Sequence, residues 1–216
     1  ATVEYSLPGR AGPLWFYASL VPDVSEDGGV AGFYLFAQDV TERKQLYERI
    51  EHEATHDPLT GLPNRRALMH RLHEAMARSR RHGRPMAVLF MDLDDFKQMN
   101  DTLGHEFGDA VLRHFADTIR ATVRDTDYVA RLAGDEFVMV LEDLDPARER
   151  ASHIGQTLLE RLALDQEIQG VAVRLSASIG VALHEGRDEE TPQELLQRAD
   201  AAMYRAKAVG RQRVAF

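Results

Sequence analysis

The sequence contains no cysteine and no long run of apolar residues. Without thiols the chain forms no disulfide framework, no thiolate metal site and no cysteine nucleophile, a composition compatible with the reducing cytoplasm, where we expect it to act. A membrane-spanning helix needs roughly 20 consecutive apolar residues, so we expect no membrane segment in this chain. The N-terminus lacks the basic and then apolar pattern of a signal peptide, and it begins with Ala1 rather than Met, as a piece of a longer protein would.

Basic residues are outnumbered in this chain, because 26 Lys and Arg stand against 35 Asp and Glu and give a formal net charge of −9. Non-specific binding to the nucleic-acid backbone needs a basic surface, so we expect no nucleic-acid partner. A single nucleotide needs only a few well-placed cations and a metal, and this balance allows it. The 216 residues, 44% hydrophobic and 28% charged, fit one globular domain plus a small one, or two small domains.

Residues 1–40 contain two stretches rich in aromatic and branched residues, PLWFYASLVP and GGVAGFYLFAQDV, separated by the turn-forming DVSEDGG. This pattern predicts an antiparallel hairpin with one further strand before it. The next segment, 41–56, is polar and helix-forming, and Thr41 is placed to cap its start. Tyr47, Ile50 and Ala54 form one narrow apolar stripe, which fits either a linker that pairs with its twin in a dimer or a solvated helix on its own domain.

From Asp57 onward helical and strand patterns alternate, beginning with the turn-rich DPLTGLPNRR. Apolar residues at helical spacing mark amphipathic helices, with Leu68, Leu72, Ala75 and Met76 predicted to face inward in the first, and short apolar runs mark buried strands. This order predicts an α+β domain with a mixed sheet and helices packed against it. The expected helices are 65–82, 106–123, 145–162 and 191–210, and the expected strands are 84–94, 126–132, 136–142, 173–184 and 211–216.

The segment HEATH, residues 52–56, matches the H-E-x-x-H pattern of zinc metalloproteases. On a helix His52 and His56 would lie one turn apart and share a zinc ion, with Glu53 as general base. The surroundings argue against this chemistry, because Pro58 ends the helix at once, the flanking residues are charged and no third ligand stands out downstream. We interpret the two histidines as surface residues.

Carboxylates cluster at two predicted strand ends. An apolar strand delivers Asp92 to its end, Asp94 and Asp95 follow directly, and Asp135 and Glu136 are adjacent within RLAGDEFVMV, where one predicted strand gives way to the next. Several acids held close together are stabilised most simply by a divalent cation, and oxygen-only ligands suit Mg²⁺. The spacing alone is compatible with one shared metal site or with two ordinary acidic turns.

The GGDEF domain of diguanylate cyclases carries, in the same order, the motifs found here as DPLTGLPNRR, FMDLDDFKQMNDTLGHEFGDAVL, RLAGDEF, SIGVA and ADAAMYRAKAVGRQR. Residues 57–216 therefore resemble that domain along their whole length. Residues 1–40, which lead into DVTERK, resemble the C-terminal strands of a PAS sensor domain. Residues 41–56 would then be the linker helix between the two.

The resemblance implies a palm-like nucleotidyl cyclase fold with a central mixed sheet and helices on both faces. It also implies a reaction in which two GTP molecules condense to cyclic di-GMP with release of pyrophosphate, with Mg²⁺ or Mn²⁺ as cofactor. Each protomer of a homodimer would bind one GTP, and the 3′-hydroxyl of one nucleotide would attack the α-phosphorus of the other. Such chemistry needs positioning, metal charge on the phosphates and removal of the hydroxyl proton. The N-terminal sensor would control this activity.

The family's functional residues fall on matching positions of this sequence. The implied metal ligands are Asp92, the carbonyl of Leu93, Asp135 and Glu136, and the implied catalytic residues are Asp135, Glu136 and Lys97. Glu136 is a further ligand or the group that helps to deprotonate the hydroxyl. The implied substrate-binding residues are Asn100, His105, Asp109, Gly134, Lys207 and Arg211. Within this set an amide and a carboxylate, Asn100 and Asp109, can read the donor edge of guanine and reject adenine. Lys207 and Arg211 also lie at a helix C-terminus, where cations are favoured for structural reasons.

Two further positions bear on regulation and activity. Arg124 and Asp127, in RDTD, match the family's R-x-x-D site, which binds cyclic di-GMP as an inhibitor; in isolation the pair would be a surface ion pair. Ala133 replaces the first glycine of the family signature, and a positive φ at this position would cost an alanine on the order of 1 kcal/mol. We favour an active cyclase. The alternative is a catalytically weak module that binds GTP or cyclic di-GMP and regulates a phosphodiesterase domain outside this chain.

Overall fold

The computed structural model describes residues 1–10, 12–26, 28–186 and 189–216. The chain divides into two compact units, Ala1–Ala54 and Thr55–Phe216. Within the described ranges, no helix is both long enough and apolar enough to cross a membrane.

The first unit is an antiparallel sheet followed by a helix. Strands β1 (Thr2–Gly9), β2 (Gly12–Val24) and β3 (Val30–Asp39) pair in sequence order. This arrangement confirms the predicted hairpin and the strand before it. Helix α1 (Thr41–Thr55) follows β3 directly.

The prediction that Thr41 caps helix α1 is wrong. Its hydroxyl accepts a hydrogen bond from the backbone N–H of Trp15 at 2.8 Å, and the carboxylate of Asp39 accepts from the N–H of Thr41 at 2.9 Å. The hydroxyl therefore joins the start of the helix to strand β2, and the acid at the end of β3 satisfies the helix N–H in its place.

The second unit interleaves helices with strands. Its elements are α2 (Arg65–His82), β4 (Met86–Leu93), α3 (Phe96–Leu103), α4 (His105–Arg120), β5 (Tyr128–Ala133), β6 (Glu136–Leu141), α5 (Ala147–Leu162), β7 (Gln166–Ile168), β8 (Val171–Val173), β9 (Ala177–His184), α6 (Pro192–Ala208) and β10 (Arg213–Ala215). The main sheet has the order β10-β9-β4-β6-β5, with β10 parallel to β9 and the other neighbours antiparallel. The predicted mixed sheet is thus confirmed.

Strand β4 lies at the centre of the sheet and is buried along its whole length. Ala87, Leu89 and Met91 pack in the core cluster that includes α4 and α5, whereas Val88 and Phe90 pack in the cluster that includes α2 and α6. Helices therefore cover both faces, as expected of a palm-like fold. Because side chains alternate along a strand, the next even-numbered residue of β4 is directed to the α2 and α6 side at the strand's end.

The sequence patterns located most elements of this unit. Helix α2 begins and ends as predicted, and Asn64 caps it by accepting hydrogen bonds from the N–H groups of Arg66 and Ala67. Helix α6 begins with a capping box formed by Thr191 and Glu194.

Two predictions about elements are wrong. The expected strand 173–184 is broken, because the N–H of Leu175 donates to the carbonyl of Leu162 at the end of α5 and the chain leaves the sheet there. Its first part pairs as β8 with β7, and only β9 joins the main sheet. Helix α3 was not predicted, since its short sequence lies directly behind a buried strand and the turn into it depends on a left-handed residue, Asp95 (φ 56°).

Candidate active site

The end of β4 carries an acid that is held by a lysine. Asp92 is 8% exposed, and its Oδ1 lies 2.6 Å from Nζ of Lys207, in the last turn of α6. In the strand ladder Asp92 lies opposite Glu136 on β6 and opposite Ser178 on β9. Directly opposed residues of antiparallel strands point to the same face, so Asp92 and Glu136 lie side by side at this end of the sheet.

The two acids after β4 have other roles. Asp94 is buried and accepts hydrogen bonds from the hydroxyls of Ser176 and Ser178, at 2.9 and 2.7 Å, and from the N–H of Gln212 at 3.2 Å. Asp95 has a left-handed backbone and precedes helix α3. Of the three aspartates, Asp92 is therefore the one that contacts a lysine and lies opposite the hairpin acid Glu136.

The hairpin between β5 and β6 positions the second pair of acids. Ala133 pairs with Glu136, and Gly134 and Asp135 form the turn between them. Gly134 has a φ of 50°, whereas neither Ala133 nor Asp135 is among the residues of positive φ. A positive φ at the first turn residue only is the pattern of a type II′ hairpin, which favours glycine at that place. Ala133 therefore does not adopt the left-handed conformation that would strain it.

A buried arginine, which sequence reasoning did not single out, fixes this hairpin. Arg131 is 9% exposed and donates from Nε and Nη2 to the carbonyl oxygen of Gly134, at 2.9 and 2.8 Å. The planar guanidinium thus holds the turn that carries Asp135. An arginine two positions before the signature was visible in the sequence, but nothing there identified its partner.

The acids at this end of the sheet influence one another. Burial, followed by the charges of Asp135 and Glu136, raises the pKa of Asp92 to about 6, although Lys207 acts in the opposite direction. Burial and the charge of Asp200 likewise raise the pKa of Glu136, against the effect of Arg65. Burial is therefore the main reason why the charged forms of Asp92 and Glu136 are disfavoured, and repulsion from the neighbouring acids adds to it.

The donor set fits a hard divalent cation. Carboxylate and carbonyl oxygens are the ligands that Mg²⁺ prefers, and a nearby cation would favour the charged form of Asp92, which burial and the neighbouring acids disfavour. Among the residues that the structure describes, no three His, Cys, Asp or Glu side chains are grouped closely enough to enclose a metal ion. The structure thus brings Asp92 and Glu136 together but does not group three carboxylates around one point. The predicted metal ligands, including the carbonyl of Leu93, stay predictions.

The two residues predicted to read guanine lie on neighbouring helices. Asn100 is on α3, and Asp109 is on α4, where it is exposed. The Oδ1 of Asn100 is buried and has no hydrogen-bond partner in the described part of the chain. A Cβ atom added to Gly108 would collide with this oxygen, so glycine leaves room for the amide. His105, the first residue of α4, is exposed beside them in sequence.

The predicted phosphate-binding cations differ in their surroundings. Lys207 contacts Asp92, and Arg211 reaches towards Asp95 with a separation of 3.8 Å between Nη2 and Oδ1. Lys97 is exposed in the first turn of α3. Two of the three cations are therefore placed by ion pairs with the acids that end β4.

Arg124 and Asp127 lie in the connection between α4 and β5. The carboxylate of Asp127 accepts from the backbone N–H of Arg124 at 3.1 Å, and burial is the main reason why the pKa of Asp127 is raised. Both residues line a cavity of about 430 Å³, to which helix α5 contributes Arg150 and His153. These two α5 residues were missed, because nothing in a helical sequence tells which turn will face a distant loop.

The H-E-x-x-H segment shows no sign of a metal centre. His52 and Glu53 are exposed, and Nδ1 of His56 lies 3.0 Å from the hydroxyl of Thr55. Among the described residues, no group of three or more potential metal ligands lies here either.

A mixed five-stranded sheet covered by helices, with acids at the end of its central strand and on the neighbouring hairpin, defines a palm-like nucleotidyl cyclase fold. The chain belongs to the GGDEF family, since the family model described as "Diguanylate cyclase, GGDEF domain" matches residues 54–213.

Named relatives agree with this assignment. The bifunctional diguanylate cyclase/cyclic di-GMP phosphodiesterase MucR of Pseudomonas aeruginosa is 48% identical over 163 residues, which are 76% of this chain and 23% of MucR. The isolated GGDEF domain of TpbB from the same species is 40% identical, with a TM-score of 0.70 over 74% of this chain and 92% of that one. The coiled coil and GGDEF domain of DgcB from Caulobacter crescentus, in complex with c-di-GMP, is 28% identical, with a TM-score of 0.74 over 82% of this chain and 92% of that one. The chain spans less than half of the length of the first curated relatives that it matches.

Proposed function

We propose that this chain is a diguanylate cyclase, which condenses two GTP molecules into cyclic di-GMP and releases pyrophosphate. The observation that carries the proposal is the convergence of Asp92 and the hairpin acids at the end of β4, next to the cation Lys207. Carboxylates that lie close together beside a lysine suit a site for a divalent cation and a triphosphate.

The proposed reaction follows from the charges in the site. A divalent cation held by Asp92, Asp135 and the carbonyl of Leu93 would supply positive charge at the phosphates. Lys207 and Arg211 bind the phosphates, and Lys97 adds a third cation nearby. The 3′-oxygen of one GTP forms a bond to the α-phosphorus of the other, the bond to pyrophosphate breaks, and Glu136 accepts the hydroxyl proton. A raised pKa suits Glu136 to this role, because a general base works best when its pKa lies near the operating pH.

Guanine is selected at the other end of the site. Asn100 and Asp109 offer an amide and a carboxylate to the base edge, with His105 nearby, and Gly108 leaves room for the amide of Asn100. Adenine lacks the donors that the carboxylate needs and would leave a buried polar group unpaired. We therefore expect GTP to be used in strong preference to ATP.

A ring closed from two GTP molecules requires two protomers, so we propose a homodimer. Helix α1 exposes Leu46, Tyr47 and Ile50, which are 56%, 64% and 52% accessible. Burying such a stripe against a second copy is favourable. In this proposal residues 1–40 are a PAS-like sensor, residues 41–56 are the linker helix and residues 57–216 are the cyclase domain.

The test is to incubate the chain with GTP and Mg²⁺ or Mn²⁺ over a range of protein concentrations and to identify the product by mass. We expect cyclic di-GMP, at a specific rate that rises with protein concentration until dimers saturate. Asp135→Asn should abolish turnover without unfolding the chain, whereas Asp101→Asn, a matched change of an exposed acid on α3, should leave turnover unchanged. Turnover by Asp135→Asn within about tenfold of the parent would remove Asp135 from the mechanism.

A regulatory module is the second candidate function. The cavity beside Arg124 and Asp127 could bind cyclic di-GMP without any turnover. The relative MucR combines a diguanylate cyclase and a cyclic di-GMP phosphodiesterase in one protein. This candidate predicts binding of cyclic di-GMP or GTP together with no detectable product. The same incubation, followed by a binding titration, separates the two.

A further inference from the structure

The turn between α6 and β10 has an unusual backbone. Gly210, Arg211 and Gln212 are consecutive and have φ values of 115°, 58° and 45°. Two successive non-glycine residues in the left-handed region are disfavoured, and such residues persist only where the surroundings hold them. The N–H of Arg211 donates to the carbonyl of Ala206 at 3.0 Å, which fixes the start of the turn to the helix.

The rest of the turn is held by Asp94. Its Oδ2 accepts from the N–H of Gln212 at 3.2 Å and from the hydroxyl of Ser176 at 2.9 Å, while its Oδ1 accepts from the hydroxyl of Ser178 at 2.7 Å. The N–H of Asp94 also donates to the carbonyl of Ser176 at 2.9 Å. One buried carboxylate thus joins three parts of the site: the end of β4, the start of β9 and the turn that carries Arg211.

We propose that Asp94 is a positioning residue, which holds turn 210–212 in its left-handed conformation and so directs Arg211 towards the nucleotide phosphates. This inference rests on the proposed function, because Arg211 has a ligand only if the site binds a nucleotide triphosphate. Asp94 is buried and accepts three hydrogen bonds within the protein, so the role proposed for it is to position the turn and not to bind the substrate. The N–H of Gln212 is the decisive contact, because Ser178 lies on β9 and Ser176 directly before it, and neither serine belongs to the turn.

The experiment measures binding rather than turnover. The ligands are guanosine 5′-(α,β-methylene)triphosphate, which cannot lose pyrophosphate, and GMP, which lacks the β- and γ-phosphates. Asp94→Ala should weaken binding of the triphosphate analogue by about tenfold, the scale of one charge-assisted contact. The affinity of this variant for GMP should stay within about twofold of the parent's. Asp94→Asn should retain most of the affinity, since its carbonyl oxygen can still accept from Gln212 while its amide donates to Ser178. Asp101→Ala, which removes an exposed acid from the neighbouring helix, is the matched control.

Two more variants test the turn itself. Ser178→Ala removes one bond from Asp94 but none from the turn, so the ratio of triphosphate to GMP affinity should not change. Gln212→Gly added to Asp94→Ala should restore part of the triphosphate affinity, because glycine adopts a positive φ without strain. Should Asp94→Ala not fold, Asp94→Ser replaces it, since a serine keeps a hydroxyl beside β9 but is too short to reach Gln212.

Equal losses of triphosphate and GMP affinity, or an Asp94→Asn variant as weak as Asp94→Ala, would overturn the proposal. Hydrogen exchange of the Gln212 amide separates this failure from a failure of the proposed function. The amide should exchange slowly in the parent chain, although Gln212 is exposed, and rapidly in Asp94→Ala. If no nucleotide binds to the parent chain, the proposed function is wrong. Rapid exchange of the Gln212 amide in the parent chain would overturn the role of Asp94 independently of nucleotide binding.

Discussion

Arg131 and Asp57 form an ion pair, with 2.8 Å between Nη1 and Oδ1, and the two side chains are 10% and 20% exposed. The remaining donors of the same guanidinium hold the carbonyl of Gly134. The loop that precedes α2 and the hairpin that carries Asp135 are therefore joined through one arginine. Burial opposes the charge on Asp57, but hydrogen bonds from Thr60 and Arg131 outweigh it and lower its pKa.

This pair predicts a loss of stability in Asp57→Ala. Removing the acid leaves a largely buried guanidinium without its partner, so the free energy of unfolding should fall by about 2–3 kcal/mol, measured by urea unfolding at pH 7. Because the pKa of Asp57 is lowered on folding, the contribution of its charge is present above the ordinary value of 3.8 and is lost as the pH falls through the lower folded pKa. The difference between parent and variant should therefore become smaller in strong acid.

Asp165→Ala is the matched control for Asp57→Ala. Asp165 also binds an arginine, Arg174, at 2.6 Å, but both side chains are well exposed. Exposed pairs contribute little, so the variant should unfold with the parent. Equal losses in the two variants would show that burial does not distinguish the Arg131 pair.

The raised pKa of Asp92 predicts that removing its charge increases stability, whereas removing the charge of Asp57 decreases it. Folding raises this pKa from 3.8 to about 6, so holding the charged form destabilises the folded state by up to about 3 kcal/mol above that pH. Asp92→Asn, measured without metal or nucleotide, should therefore be more stable than the parent at pH 8. The gain should develop as the pH rises from 3.8 to about 6 and stay constant above it.

Lys207→Met is the control for the Asp92 prediction. This change removes the ammonium group that favours the charged carboxylate of Asp92. Lys207→Met should therefore be less stable than the parent at pH 8. Added Mg²⁺ should stabilise the parent and not Asp92→Asn, because a ligand that binds the folded state and not the unfolded one stabilises the fold. An Asp92→Asn chain that unfolds more easily than the parent at pH 8 would show that holding Asp92 charged does not destabilise the folded state.

The fold could be read from the sequence where apolar periodicity was strong. Helix α2 and strand β4 have long, regular patterns, and shorter apolar patterns predicted α4, α5, α6, β5 and β6 as well. The broken strand around Leu175 was missed because its apolar residues continue through the break, while a backbone bond to α5 decides where the chain turns away.

The site could be predicted in its residue types but not in their division of labour. Asp92, Asp94 and Asp95 look alike in sequence, yet Asp92 contacts a lysine, Asp94 accepts hydrogen bonds within the protein, and Asp95 precedes α3 with a left-handed backbone. The end of β4 at Leu93, the partners on and next to β9, and one backbone angle separate these roles. Arg131 and Asp57 are 74 positions apart, and no local pattern connects them.

The hairpin predicts contrasting effects for its two small residues. Gly134 has a φ of 50°, and a Cβ atom there would meet no atom within 4 Å, so Gly134→Ala suffers from backbone strain alone. We expect it to lose about 1–2 kcal/mol of unfolding free energy and to lower turnover. Ala133→Gly relieves no positive φ and should change turnover by less than about tenfold. A rise of a hundredfold or more in Ala133→Gly would instead show that alanine cripples the hairpin and would favour the regulatory candidate.

The cavity beside Arg124 predicts inhibition by product. The guanidinium can form paired hydrogen bonds to a phosphate or to a guanine edge, and Asp127 can accept from guanine N–H groups. Arg124→Ala should therefore raise the concentration of cyclic di-GMP needed for half inhibition by at least about tenfold, while the initial rate stays near that of the parent. Arg148→Ala is the matched control, because Arg148 is an exposed arginine on α5 that stacks on Phe216 and does not line the cavity. Progress curves of the parent that stay linear well beyond micromolar product would mean that Arg124 and Asp127 have only a structural role.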